Sequence, residues 1–267
     1  MTQISILGCG WLGFPLAKAL VKNKFSVKGS TTSTERVSIL ESAGIDTFIV
    51  QLEEEKISES VANFLAHSSI LIINIPPKLR GNSTENFVAK ITTLIPFIEK
   101  STIEKVLFVS STSVYGEDTE LITEESPLNP DSEGGRQLAI VESLLQKNTR
   151  FETTILRFGG LIGEDRNPVR FLSGRENIEN PDAPINLIHQ EDCIGIIEKI
   201  IALSSWNETF NAVAPFHPSR KEYYTQKAAD LNLALPKFAT SNSIVGKTIL
   251  NDKLIKSLQY SFLKPTL

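Results

Sequence analysis

Short apolar runs alternate along the chain with longer stretches in which apolar residues recur every three or four positions. The short runs, such as ISIL and KVLFVSS, predict strands that are buried on both faces of a sheet. The longer stretches, such as WLGFPLAKALVKN, predict helices with one apolar face. The predicted strands are 4–7, 25–30, 45–52, 69–75, 105–111 and 151–158. The predicted helices between them are 11–23, 33–43, 57–67, 84–99 and 133–147.

Regular alternation of strand and helix is typical of a doubly wound parallel sheet with helices on both faces, the Rossmann fold. Beyond residue 160 the alternation breaks, and proline, asparagine and arginine cluster in residues 163–184. A helix at about 190–204, a strand at 209–213 and one or two final helices are expected there. We therefore predict an α/β core over 1–160 and a smaller mixed substrate lobe over 161–267, packed on the sheet edge and not necessarily an independent domain.

Composition narrows the classes of partner. The formal net charge of −4 argues against a nucleic-acid or anionic-membrane surface. No apolar run reaches the length of a membrane span, and the N-terminus lacks the pattern of a signal peptide. Cys9 and Cys193, the two cysteines, form neither a metal motif nor a disulfide framework. We expect a cytoplasmic protein with no metal site.

Three glycines lie between the first strand and the first helix, in the order G-x-G-x-x-G. In this position the first glycine allows a tight turn, the second lets a pyrophosphate approach the backbone, and the third lets the helix pack closely on the strand. The start of the helix then offers free N–H groups to the phosphates. A glycine-rich turn without a ligand is the alternative. We predict a dinucleotide site that includes Gly8, Gly10, Trp11, Leu12 and Gly13.

The end of the second strand indicates which dinucleotide is bound. NAD-binding proteins usually carry an acidic residue there, whereas this chain has GSTTSTER, in which the first acid is Glu35. Hydroxyl groups and an arginine are suited to a 2′-phosphate, so the sequence favours NADP over NAD. Helix capping with a solvated arginine is the alternative. The residues predicted to contact this end of the cofactor are Thr31, Thr32, Ser33 and Arg36.

A second motif, VLFVSSTSVYG at 106–116, resembles the fifth-strand motif of extended short-chain dehydrogenases/reductases, the nucleotide-sugar epimerase/dehydratase group. LNP at 128–130, VESLL at 141–145, LRFGGLIGEDRNP at 156–168 and INLIHQEDC at 185–193 follow in the order of that group. The resemblance covers nearly the whole chain. It is closest to atypical members with a GCGWLG-like opening.

The chain departs from this family at the catalytic residues. The family reaction uses Ser, Tyr and Lys, the last two in a Y-x-x-x-K helix, where Lys and the cofactor lower the pKa of Tyr. Alignment of the VESLL helix puts Gly134 at the Tyr position and Leu138 at the Lys position, whereas Ser111 falls on the family serine. Thr112 and Ser113 stand where sugar dehydratases carry an Asp-Glu pair, which disfavours dehydration.

Three residues are candidates for catalysis, and each has a structural alternative. Ser111 is predicted to bond a substrate oxygen, or else to cap local backbone. Tyr115 is a candidate proton donor, with a structural tyrosine as the favoured alternative. His189 is a candidate acid or base, or else a positioning residue at a helix start.

The remaining predicted contacts belong to cofactor and substrate. The further cofactor residues are Ile75, Pro76, Ser110, Phe158 and Gly159. The substrate residues are Thr112, Arg166 and Arg170, the arginines being suited to a phosphate or carboxylate or else solvated. The expected partner is a small molecule, and the expected oligomeric state is a monomer or a homodimer.

Two functions from different classes remain open. The first is an NADP-dependent oxidoreductase or epimerase that acts on a sugar-like or other hydroxyl or carbonyl substrate with an altered proton donor. The second is a non-catalytic dinucleotide-binding sensor or regulator, which the absent Tyr and Lys favour. A ketopantoate- or hydroxyacid-type reductase ranks third, because the chain has the SSTSVYG strand end and a short mixed lobe.

Overall fold

A seven-stranded parallel sheet forms the centre of the computed structural model. The structure describes residues 2–77, 79, 85–117, 120–240 and 246–266. Spatial strand order in the large sheet is β3-β2-β1-β4-β5-β7-β10, and every neighbouring pair is parallel. The eleven strands of the described residues are β1 Gln3–Leu7, β2 Ser26–Thr31, β3 Asp46–Ile49, β4 Ile70–Ile73, β5 Lys105–Ser111, β6 Leu121–Ile122, β7 Glu152–Phe158, β8 Gly160–Ile162, β9 Leu187–His189, β10 Thr209–Ala212 and β11 Thr248–Ile249.

Helices cover both faces of this sheet. The helices of the described residues are α1 Gly13–Lys22, α2 Val37–Ser42, α3 Val61–Leu65, α4 Phe87–Glu99, α5 Glu133–Gln146, α6 Val169–Leu172, α7 Gln190–Leu203, α8 Arg220–Asp230 and α9 Asp252–Leu258. One apolar cluster joins α1, α2, α7 and α9 to one face, and a second joins α3, α4 and α5 to the other. The predicted doubly wound α/β fold is therefore confirmed.

Apolar runs located the central strands because burial on both faces requires them. Strand β5 has the predicted bounds of 105–111, and α5 ends one residue before its predicted end. Two small parallel pairs, β8 with β9 and β6 with β11, were not predicted, since each strand has only two or three residues.

The region after residue 160 contributes both to the large sheet and to the helices that cover it. Strand β10 pairs with β7 at the edge of the large sheet, and α7 packs its apolar face into the same cluster as α1. The division at residue 160 stays a prediction. Within the described residues, no helix is long and apolar enough to cross a membrane.

A buried carboxylate fastens the C-terminal segment to the start of α7. Asp192 is fully buried and lies in the first turn of α7, where the helix dipole favours a negative charge. Its Oδ1 accepts hydrogen bonds from the Tyr260 hydroxyl at 2.9 Å and the Leu263 N–H at 2.6 Å, and its Oδ2 accepts from the Lys264 N–H at 3.0 Å. Burial, together with the nearby Asp192 charge, raises the pKa of Tyr260, which therefore stays protonated and donates.

Replacing this carboxylate by an amide tests its role. Asp192→Asn replaces one acceptor oxygen by an NH₂ group, which would face hydrogen-bond donors that it cannot accept from. We therefore expect a loss of about 1–3 kcal/mol in the free energy of unfolding. Urea denaturation measures the loss, with Asp182→Asn at an exposed position as the control. Equal stability of the two variants would show that the Asp192 bonds contribute nothing.

Candidate functional site

Two of the three glycines in the β1–α1 loop are required by the fold itself. Gly8 has φ +101°, and a Cβ there would lie 2.5 Å from the carbonyl oxygen of Asn74. A Cβ on Gly13 would lie 2.1 Å from the carbonyl oxygen of Gly8. Both contacts are with backbone that cannot move away, so these positions exclude any side chain.

Gly10 differs, because no protein atom lies within 4 Å of the position that its Cβ would occupy. Its φ is not in the left-handed region, so neither packing nor backbone conformation explains the glycine. Within the described residues, the N–H groups of Gly10, Trp11 and Leu12 donate to no protein acceptor, as is usual at the start of a helix. The loop therefore presents open space and free donors at one point, which fits a phosphate.

Side chains from two neighbouring strands hold the loop in this shape. The Asn74 amide Nδ2 donates to the Gly8 carbonyl at 3.0 Å, and the Ser30 hydroxyl accepts from the Gly8 N–H at 2.9 Å. Sequence reasoning missed both residues. Their position at the ends of β4 and β2 was the available signal, because such ends meet at the crevice of a parallel sheet.

A cavity of about 300 Å³, here called the β2 cavity, opens beside this loop. Besides Gly8 and Gly10 of the loop, it brings together six further residues that were predicted to bind cofactor. They are Thr31, Thr32, Ser33, Arg36, Ile75 and Pro76. Among the described residues that line the cavity, the one carboxylate is Glu85, on the side of α4, where Lys90 bonds it at 2.7 Å.

Arg36 lies at the point where the β2 cavity meets a second cavity. Its Nη2 donates to the Cys9 carbonyl at 3.0 Å, while its Nε is buried and has no hydrogen-bond partner in the described protein. An unpaired buried guanidinium N–H is costly, and no described protein group offsets this cost at Arg36, which lines the β2 cavity together with Thr32 and Ser33. Burial raises the pKa of the Cys9 thiol to about 12, so this thiol stays protonated at neutral pH.

The second cavity, here called the outer cavity, has a volume of about 680 Å³ and lies between α1 and the start of α7. His189 lines it and caps α7, accepting from the Glu191 N–H through Nδ1 at 3.3 Å. Its role as acid or base stays a prediction. The other lining residues are Gly10, Trp11, Phe14, Pro15, Arg36, Glu164, Asp165, Gln190 and Glu191.

The serines at the end of β5 are both bonded within the protein. Ser111 Oγ accepts from the Ser113 N–H at 3.1 Å, which is the local capping role that the sequence left open. Ser110 is buried, and its hydroxyl donates to Glu142 on α5 at 2.5 Å. Thr112 is buried in the short 3₁₀ turn that follows. Of these three, Ser111 is the most exposed.

The Tyr115 side chain lies in the core, with 1% of its surface exposed. Its hydroxyl donates to Asn211 Oδ1 at 2.8 Å and accepts from Arg157 Nη1 at 2.6 Å. Arg157 also pairs with the buried Glu142 carboxylate at 2.6 Å. Burial raises the pKa of Tyr115, although Arg157 opposes the shift. This position agrees with the structural alternative and disfavours a proton donor.

The remaining predicted residues are distributed between core and surface. Phe158 is buried in the core, and Gly159 is required by packing, because a Cβ there would lie 2.6 Å from the Asn186 carbonyl oxygen. Arg166 is exposed with its guanidinium 5.1 Å from the centre of the Trp11 ring, whereas Arg170 is exposed on α6 and lines neither cavity. Within the described residues, no group of three or more His, Cys, Asp or Glu side chains is placed to hold a metal ion.

Known proteins resemble the chain along its whole length. Residues 4–179 match the model of the NAD dependent epimerase/dehydratase family. Protein YeeZ of Escherichia coli K12 is 32% identical over 267 residues, which is 99% of this chain and 97% of that protein. Among solved structures, a short-chain dehydrogenase/reductase superfamily protein of Agrobacterium tumefaciens with bound NAD has a TM-score of 0.79 at 16% identity, covering 97% of this chain and 92% of that one. The UDP-glucose 4-epimerase of Thermotoga maritima with UDP-glucose has a TM-score of 0.80 at 14% identity, covering 98% and 94%.

The family match spans more than half of the chain, and the similarity to the bacterial protein spans nearly all of it. The chain therefore belongs to the NAD-dependent epimerase/dehydratase family.

Proposed function

We propose that the protein is an NADP-dependent oxidoreductase or epimerase that acts on a sugar-like or other hydroxyl or carbonyl substrate. The single observation that carries cofactor binding is Gly10, which the fold does not need but an approaching pyrophosphate does. The solved relatives that contain NAD or UDP-glucose support the same classes of ligand. When bound, the nicotinamide would accept or donate a hydride. A cytoplasmic location and a monomeric or dimeric state stay predictions.

The chain's own residues indicate which part of the site would hold each part of the cofactor. The free N–H groups of Gly10, Trp11 and Leu12 would hold the pyrophosphate, while the β2 cavity would take the adenosine. Preference for NADP rests on Arg36, Thr32 and Ser33 in the lining of the β2 cavity and on the absence of a carboxylate at the β2 side among the described lining residues. At the substrate end, Ser111 and His189 remain the candidate groups, with Arg166 and Arg170 as candidate anion contacts.

A non-catalytic NADP-binding regulator is the second candidate. It is favoured by the two positions of α5 that align with the catalytic Tyr and Lys of the epimerase/dehydratase group, because neither residue is present there in this chain. Here Gly134 is half-buried beside Pro77, and Leu138 is buried in the apolar cluster with Val114 and Tyr115. Leu138 offers no charge, and the buried Tyr115 phenol is a poor base at neutral pH.

A screen of turnover separates the two candidates. The pure protein is mixed with NADPH or NADP and with carbonyl compounds, alcohols and nucleotide-sugars, and both cofactor absorbance and sugar interconversion are followed. The proposed enzyme gives turnover with at least one class, which Ser111→Ala lowers. Tight NADPH binding without turnover on every class would favour the regulator.

The first variant pair tests whether Gly10 serves a ligand. Gly10→Val places its side chain in open space, so we expect normal stability and an NADPH affinity that falls about tenfold to a hundredfold by steric exclusion. Gly13→Ala is the contrasting variant, because its methyl meets the Gly8 carbonyl and should destabilise the fold by about 1–3 kcal/mol. Calorimetric titration and urea denaturation measure the two effects. A folded Gly10→Val protein with parental affinity would refute the proposed phosphate position.

The second variant tests the 2′-phosphate contact. Loss of one charge-assisted contact costs about 1.5–3 kcal/mol, so Arg36→Ala should weaken NADPH about tenfold to a hundredfold. NADH lacks the phosphate, and its affinity should change little. Arg36→Lys keeps the charge and should recover part of the NADPH affinity. Equal affinity of the parent protein for NADPH and NADH would contradict the NADP preference.

The third variant tests the structural role of Tyr115. Tyr115→Phe leaves Arg157 and Asn211 each without one buried partner, so we expect the free energy of unfolding to fall by about 1–3 kcal/mol. Turnover and NADPH affinity should stay at the parental level. Tyr224→Phe is the control, because its hydroxyl bonds no protein group in the described residues. A stable Tyr115→Phe protein with abolished turnover would instead make Tyr115 the proton donor.

A further inference from the structure

Trp11, inside the phosphate loop, is held by a turn of the C-terminal region that lies more than 150 residues away. The turn is closed by reciprocal main-chain bonds between Gly163 and Arg166, each of 3.1 Å. Gly163 lies against the indole ring, because a Cβ there would come within 2.8 Å of a ring carbon. Arg166 lies 5.1 Å from the ring centre, at a distance at which a cation and a ring attract each other. Two residues of this turn therefore contact the ring.

Two hydrogen bonds also hold Trp11, one at its indole and one at its main-chain carbonyl. The indole Nε1 donates to Asp165 Oδ1 at 2.7 Å, and the Trp11 carbonyl accepts from Gln190 Nε2 at 2.8 Å. Gln190 is the first residue of α7, and both Asp165 and Gln190 line the outer cavity. Side chain and main chain of Trp11 are therefore oriented by groups that follow residue 160 in the chain.

The bond to the Trp11 carbonyl also determines where the next N–H points. The peptide bond between Trp11 and Leu12 is planar and trans, so its C=O and N–H point in opposite directions. Holding the carbonyl towards Gln190 directs the Leu12 N–H away from it. The Leu12 N–H is one of the free donors of the loop, whereas the Leu12 side chain is buried and cannot contact a ligand.

We infer that Gln190 and Asp165 are positioning residues for the cofactor pyrophosphate, acting through Trp11. This inference rests on the proposed cofactor site. The two residues touch no cofactor themselves, and they keep the Trp11–Leu12 peptide in the orientation in which its N–H faces a phosphate. The region after residue 160 is then part of the cofactor site as well as of the substrate lobe.

Comparison of two ligands separates positioning from general stability. NADPH carries the pyrophosphate, whereas adenosine 2′-phosphate carries only the groups expected at the β2 cavity and Arg36. Gln190→Met keeps the length of the side chain and removes the donor. Gln226→Met, which removes an exposed glutamine bond to Asp230 on α8, is the matched control.

We expect Gln190→Met to weaken NADPH about fivefold to tenfold, the effect of losing one well-aligned hydrogen bond. Its affinity for adenosine 2′-phosphate and its urea midpoint should match those of the Gln226→Met control. Asp165→Ala should act in the same direction, and Asp165→Asn should restore affinity because an amide oxygen still accepts from the indole.

The outcomes distinguish a failure of this inference from a failure of the proposed function on which it rests. A parent protein that fails to bind NADPH would overturn the proposed function and this inference with it. Parental NADPH affinity in Gln190→Met would overturn the inference alone, and so would an equal loss for both ligands. A loss confined to NADPH supports it.

Discussion

The backbone contact between Gly13 and the Gly8 carbonyl is the constraint on which the candidate site depends. It brings the start of α1 against the end of β1 so closely that a methyl group would not fit. Because the helix begins there, its first N–H groups open onto the crevice at the carboxyl ends of the strands. Asn74 and Ser30 complete the loop by bonding both polar groups of Gly8.

A second constraint acts at the other end of the crevice. The Glu142–Arg157 pair is almost fully buried and is bonded to Ser110 and Tyr115. Both charges of the pair have hydrogen-bonded partners, and these bonds fix the ends of β5 and β7 relative to α5. Ser111 is left as a half-buried hydroxyl that is more exposed than Ser110 and Thr112. The candidate site thus combines a well-defined proposed cofactor half with a proposed substrate half in which few of the described groups are free to exchange protons.

The sequence predicted the parts of the molecule that local patterns determine. Apolar runs gave the central strands, and the glycine spacing gave the loop, because both patterns lie within a few consecutive residues. The contacts of Trp11 with Asp165 and Gln190 could not be predicted, since these residues follow Trp11 by 154 and 179 positions in the sequence and no local pattern relates them to it. The direction of Tyr115 depends on the 3₁₀ turn at Thr112–Val114, which strand alternation does not describe. The short strands β8 and β9 were missed for a related reason, because only their pairing identifies them.

The pyrophosphate position is the central claim, and a crystal structure of the protein grown with NADPH tests it most directly. The expected result places phosphate oxygens within hydrogen-bond distance of the N–H groups of Gly10, Trp11 and Leu12, with the 2′-phosphate against Arg36. Clear density for the whole cofactor at another position, with the loop around Gly10 filled only by solvent, would contradict it.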